Sequence, residues 1–218
     1  MQFRHKCLAV IILFIVLIGI GIIYIYCNVI FIKPDTNIGQ NTVSFGIIDG
    51  GLSGEHSNVV DTNANYEEKK LTHGDKILNF MSEYVFDSSF YYYDAEDDNT
   101  ISTDKLLVGL QWMLDNNVEC VSISLSSKFY SEEVADWMNE NSNDIKVYAS
   151  YSNTVNSLDY PASYNNVIGV GSSAKIEVKE SDVIFRNSKL IVWSTPFRFY
   201  SGNSYLAPYC MVRDNINN

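Results

Sequence analysis

The sequence predicts an α/β domain of three layers, with helices on both sides of a mainly parallel central sheet, carried behind an N-terminal transmembrane helix. Three observations support that expectation. Short apolar runs alternate with amphipathic segments of about 10–15 residues, the pattern of successive β-α-β units. The first of these runs, VSFGIID over 43–49, stops at an acidic residue and a glycine pair, as a buried parallel strand does when it delivers a carboxylate at its C-terminal end. Ahead of it, residues 7–32 form an apolar stretch without a charged side chain.

That stretch, CLAVIILFIVLIGIGIIYIYCNVIFI, has Asn28 as its one strongly polar residue and is long enough to cross a hydrocarbon core of about 30 Å. A cleaved signal peptide would have a shorter apolar core, roughly 7–15 residues, followed by a small-x-small site. Here the run continues through bulky Ile, Tyr and Phe, so a retained anchor is expected. Arg4, His5 and Lys6 precede it, and the positive-inside bias assigns residues 1–6 to the cytoplasm. The expected location is the cell membrane, single-pass, with residues 33–41 a short tether and an extracellular domain over 42–218.

With 218 residues there is room for the span and one globular domain. A formal net charge of -11, with no Lys or Arg cluster beyond the extreme N-terminus, offers nothing for phosphates and excludes nucleic acid as a partner. The hydrophobic fraction of 46%, with 13% aromatics, supports a packed core and argues against disorder. Cys7 and Cys27 lie in the apolar stretch, and Cys120 and Cys210 read as small buried apolar groups. Neither a disulfide framework nor a metal-ligand spacing is present.

Along the domain, FYYYDA (90–95) and VECVSISLS (118–126) read as strands. Between them, Leu106, Leu107, Leu110, Met113 and Leu114 fall on one helical face, with Ser102 or Thr103 as N-cap. A capped amphipathic helix follows at 131–141, then strands at 145–150 and 166–172. The acidic DAEDDNT (94–100) is expected to be a solvated surface turn. In such sheets the chemistry sits at the C-terminal ends of the strands.

Acyl transfer by a serine needs an alcohol, a base to activate it, an anion to orient that base and donors for the oxyanion. YSGNSYLAPY resembles the GTSMAAP signature around the nucleophile of subtilisin-like serine peptidases, sharing Gly202, Ser204, Ala207 and Pro208. FGIIDGGLSGEH resembles that family's first block, with Asp49 as the orienting carboxylate. LTHGDKI resembles the second block, with His73 as the base. LQWMLDNNVECVSISLSS is similar to the helix and strand leading to the substrate-binding edge, here Ser124, Leu125 and Ser126. KVYASYSNTVNSLDYPASYNNVIGVGS resembles the block holding the oxyanion amide, here Asn153.

The resemblance spans about residues 43–210 and implies a subtilisin-like serine endopeptidase acting on peptide or protein substrates. It implies a catalytic triad of Asp49, His73 and Ser204, substrate capture by strand addition and no cofactor. Structural calcium occurs in such enzymes, but the sequence has no dense acidic loop for it. His56 is the other candidate base, and the glycine and apolar helix behind His73 favour His73. Several positions depart from the family pattern: Asp75 after the His-Gly pair, Ser152 before the oxyanion amide, and Asn203, Tyr205 and Leu206 around the nucleophile. The family's long final helix has little room before Asn218, and no pro-domain is recognisable. These departures motivate an alternative, a membrane-anchored protein that binds peptides without turning them over.

Overall fold

The computed structural model describes residues 2–34, 43–66, 70–85, 88–97, 100–153, 159–172, 178–193 and 198–216. Its elements are α1 (Gln2–Asn28), β1 (Val29–Ile32), β2 (Phe45–Asp49), β3 (Val59–Thr62), α2 (His73–Tyr84), β4 (Phe90–Asp94), β5 (Glu96–Asp97) and β6 (Thr100–Ile101). There follow α3 (Thr103–Asp115), β7 (Cys120–Ile123), α4 (Glu132–Glu140), β8 (Lys146–Ser150), β9 (Val167–Gly171), β10 (Val183–Ile184), β11 (Lys189–Val192), β12 (Arg198–Ser201) and α5 (Asn203–Asn215).

The strands that read as unbroken apolar runs are those buried on both faces. β2, β7 and β8 carry Ile47, Ile48, Val121, Ile123, Tyr148 and Ala149 in the core. They form a seven-stranded sheet in the order β10-β9-β8-β7-β2-β4-β3, and every neighbouring pair is parallel. Helices α2 and α5 share one core with one face of the sheet. Helices α3 and α4 share a second core with the other face. The result is the predicted three-layer α/β architecture. Because β2 lies between β4 and β7, the order reverses beside it, and the end of β2 opens on a switch point where such sheets hold their ligands.

Two parts of the chain differ from the sequence-based expectation. The apolar stretch predicted as one span over 7–32 ends its helix at Asn28, whose side chain donates back to the Tyr24 carbonyl at 2.9 Å. Val29–Ile32, rich in β-branched residues, instead pair in parallel with β11, where a sheet edge satisfies their backbone. β11 pairs antiparallel with β12, giving a three-stranded sheet continuous with the end of α1. Most of the predicted tether, 35–41, lies outside the described residues. The acidic 94–100 stretch is not a simple solvated turn: β5 and β6 pair antiparallel, and the Asp94 carboxylate accepts from Gly51 N at 2.9 Å and from Glu96 N at 2.9 Å.

Among the described residues one helix, through Val10–Asn28, is long and apolar enough to cross a membrane, with a mean hydropathy of 3.0. A signal sequence near an N-terminus passes the same test.

Candidate active site

β2 ends by burying Asp49 completely. Its Oδ1 accepts the Gly50 N–H at 2.7 Å and faces His73 Nδ1 at 2.6 Å. A carboxylate cannot donate, so Nδ1 carries the proton in this pair and Nε2 keeps its lone pair. The Asp49 hydrogen bond raises the His73 pKa above its ordinary value. Partial burial opposes the shift, and the Asp49 and Glu96 charges add to it.

His73 opens α2, and its position follows from the residues around it. Thr72 caps the helix in a capping box: its hydroxyl accepts from Asp75 N, and the Asp75 carboxylate accepts from Thr72 N at 2.7 Å. Only glycine fits at position 74, because a Cβ there would collide with Tyr92 Oη and the Gly51 carbonyl. Gly74 N donates to Gly50 O at 3.0 Å and Tyr92 Oη donates to Gly51 O at 3.1 Å, tying the start of α2 to the loop behind Asp49.

His56 belongs to the same support. Its Nε2 lies 2.8 Å from Asp75 Oδ1, and Ser53 N donates to the same carboxylate at 3.1 Å. Burial pushes the Asp75 carboxyl up, but His56, Thr72 and Ser53 together outweigh it and hold it well below the usual carboxylate range. Asp75, met in the sequence only as a departure, is therefore the buried hub joining the loop after β2 to the helix that carries His73. The Thr72-x-x-Asp75 spacing ahead of an apolar helix is the sequence signal that identifies it.

Ser204 lies in the first turn of α5. Gly202, at φ +118°, turns β12 into this helix in a conformation that side chains rarely adopt. No side chain of Gly202 caps α5; Asn203 N donates instead to Asn153 Oδ1 at 2.8 Å, and Tyr205 N to Gly202 O at 3.3 Å. Among the described residues the Ser204 N–H has no acceptor, so it stands at the positive end of the helix dipole. Asn153, with Oδ1 engaged, keeps its Nδ2 beside Gly202. Asn203 is locked by its Nδ2 donating to Tyr151 O at 3.0 Å and Ser152 O at 3.1 Å.

The predicted residues are thus brought together to different degrees. Asp49 and His73 are in direct contact. Ser204 Oγ points to Ser124 O at 3.4 Å, and among the described residues it shares no hydrogen bond with His73. Burial, and after it the charge of Asp49, push the Tyr205 phenol up. Phe80 of α2 meets Tyr205 edge-on at 5.5 Å and Tyr200 of β12 at 4.9 Å, joining the His73 helix to the Ser204 helix. Ser124, at the start of the predicted substrate edge, is buried, and its Oγ donates to Ser204 O at 2.8 Å, bracing α5. Leu125 is half-buried and Ser126 exposed. Leu125 lines an apolar pocket with Leu106, Phe129, Val134, Tyr160 and Tyr164. Among the described residues no cluster of three or more His, Cys, Asp or Glu side chains stands ready to hold a metal ion.

A buried aspartate at the end of a central parallel strand, paired with a half-exposed histidine that opens one helix, with a serine in the first turn of another, is the layout of a subtilisin-like protease. The family model described as the subtilase family matches residues 59–209, and the chain belongs to that family. The matched stretch holds His73, Asn153 and Ser204, while Asp49 precedes it. Among solved structures, a cold-adapted subtilisin-like serine proteinase is similar at 15% identity and TM-score 0.59, covering 83% of this chain and 79% of that one. The prenylagaramide maturation protease PagA is similar at 13% identity and TM-score 0.59, covering 83% and 76%. A lanthipeptide protease is similar at 14% identity and TM-score 0.54, covering 78% and 71%. The comparison with curated proteins finds no match.

Proposed function

We propose that the chain is a membrane-anchored serine endopeptidase whose triad is Asp49, His73 and Ser204. The observation that carries this reading is the 2.6 Å contact of His73 Nδ1 with buried Asp49, which leaves the Nε2 lone pair to act as a base. A turn of the Ser204 side chain away from Ser124 O offers its hydroxyl to that base, a tightening that substrate commonly completes. Ser204 Oγ then attacks the scissile carbonyl carbon as its proton passes to His73 Nε2. The carbonyl oxygen becomes an oxyanion between the Ser204 N–H and Asn153 Nδ2. Collapse expels the amine, which takes the proton from His73, and water repeats the sequence on the ester to release the acid and restore Ser204. The substrate is an extended peptide lying along the main chain of the Ser124–Leu125–Ser126 edge, with an apolar side chain in the pocket beside Leu125. Helix α1 keeps the enzyme in the membrane with the catalytic domain outside.

The test is cleavage of an unstructured reporter peptide by the detergent-solubilised full chain. Wild type is expected to cleave it, and Ser204→Ala and His73→Ala are each expected to lose that activity. Equal cleavage by wild type and Ser204→Ala would contradict the reading.

A further inference from the structure

The β1-β11-β12 sheet has one face in the protein core and one facing out. Ile32, Leu190 and Val192 point inward and are buried. On the outward face the register aligns Phe31, Ile191 and Phe199 in one row across the three strands, and Trp193 follows on the same side of β11. Phe31 is 54% exposed, Trp193 63% and Phe199 74%. In a chain with 26 acidic residues this face carries no carboxylate, and its charged member is Lys189.

Its position identifies the occupant. α1 ends at Asn28 and β1 begins at the next residue, so Phe31 lies within about 10 Å of the end of the apolar helix at the rise of an extended strand. Lys189 Nζ donates to Tyr24 Oη at 2.9 Å and sits over the Tyr24 ring, which sets β11 level with the last turns of α1. Aromatic rings and a snorkelling lysine at the end of a spanning helix form the side-chain set that favours the boundary between lipid headgroups and acyl chains.

We infer that the outward face of the β1-β11-β12 sheet, formed by Phe31, Ile191, Trp193 and Phe199, docks into the lipid headgroup boundary and seats the catalytic domain on the bilayer. The inference rests on the anchor reading of α1. It adds that the domain is not held on a loose tether, and that β12, which runs straight into the Ser204 turn, lies at the membrane surface.

The test reconstitutes the full chain in phosphatidylcholine vesicles with brominated acyl chains and compares wild type with Trp193→Phe, a conservative change at an exposed position. The difference emission reports Trp193 alone, and retention after alkaline extraction reports the anchor independently. The expected result is retention, loss of most of the Trp193 emission to the bromolipid, and protection of that emission from iodide. Unquenched, iodide-accessible Trp193 would overturn the docking face, with retention or release deciding whether the anchor reading falls too. Trp193 shielded from iodide but unquenched by lipid would mean that a protein covers the face, and also overturns it. Release on extraction with Trp193 still quenched would sink the anchor while supporting the docking face.

Discussion

At the residue scale the proposed oxyanion site makes the sharpest demand. Asn203 N occupies Asn153 Oδ1 and thereby fixes which end of the carboxamide remains to donate. Asn153→Ala is expected to lower kcat by about 10²–10³ with little change in KM, a magnitude known from subtilisin itself; steady-state kinetics would check it. The pH dependence follows from His73. Its pKa is raised, chiefly by the Asp49 hydrogen bond, and only the neutral ring can accept a proton. Activity should therefore rise with pH through a pKa above the ordinary histidine value of about 6.5. Removing the carboxylate removes the cause of the rise and leaves burial, which acts the other way. In Asp49→Asn the acidic limb of kcat/KM should accordingly move to lower pH, while kcat drops by about 10⁴ because the imidazole loses its tautomer.

At the element scale the start of α2 depends on Asp75. Removing its carboxylate deletes the capping box and leaves Ser53 N and His56 without their acceptor, so Asp75→Ala should destabilise the fold by about 2 kcal/mol or more. Because its folded pKa is depressed, Asp75 contributes stability above its unfolded value of about 3.9, and that contribution is lost as pH falls toward the folded one. His56→Ala should lower the melting temperature while leaving kcat near wild type, since His56 faces Asp75 and not Asp49; thermal denaturation alongside kinetics separates the two. Abolished turnover with an unchanged melting temperature would make His56 the base instead. The elements differ in how legible they were. β2 could be read because a fully buried strand leaves an unbroken apolar run with an acid at its end. β1 could not, since four apolar residues continuing an apolar helix have no period of their own, and the edge of β11 decides their conformation. β3 escaped for the opposite reason: it lies at the sheet edge with Val60 exposed and Asp61 within it, so its composition resembles a loop. Of the candidate site, Asp49, His73, Asn153 and Ser204 were singled out through their local motifs. The bracing role of Ser124 and the hub at Asp75 depend on partners distant in sequence or on a cap, which motif matching passes over.

At the scale of the whole molecule, α1 joins directly to a sheet that feeds the helix carrying Ser204, so on the proposed reading anchoring and catalysis share one stretch of structure. If α1 is retained with its basic end inside, protease added to intact cells should digest the domain and spare a small N-terminal fragment; a soluble, N-terminally cleaved domain in the medium would show instead that α1 is removed. The aromatic contacts of Phe80 with Tyr200 and Tyr205 tie the helix carrying His73 to the helix carrying Ser204 and the strand before it, and each such pair is worth about 0.5–1.5 kcal/mol beyond its buried area. The central claim is that these helices bring His73 to bear on Ser204. Its most direct test is peptide mapping by mass spectrometry after the full chain reacts with a fluorophosphonate. The account predicts one adduct, on Ser204, lost in Ser204→Ala and formed far more slowly in His73→Ala. No adduct on the folded wild-type chain, or an adduct that survives Ser204→Ala, would contradict it.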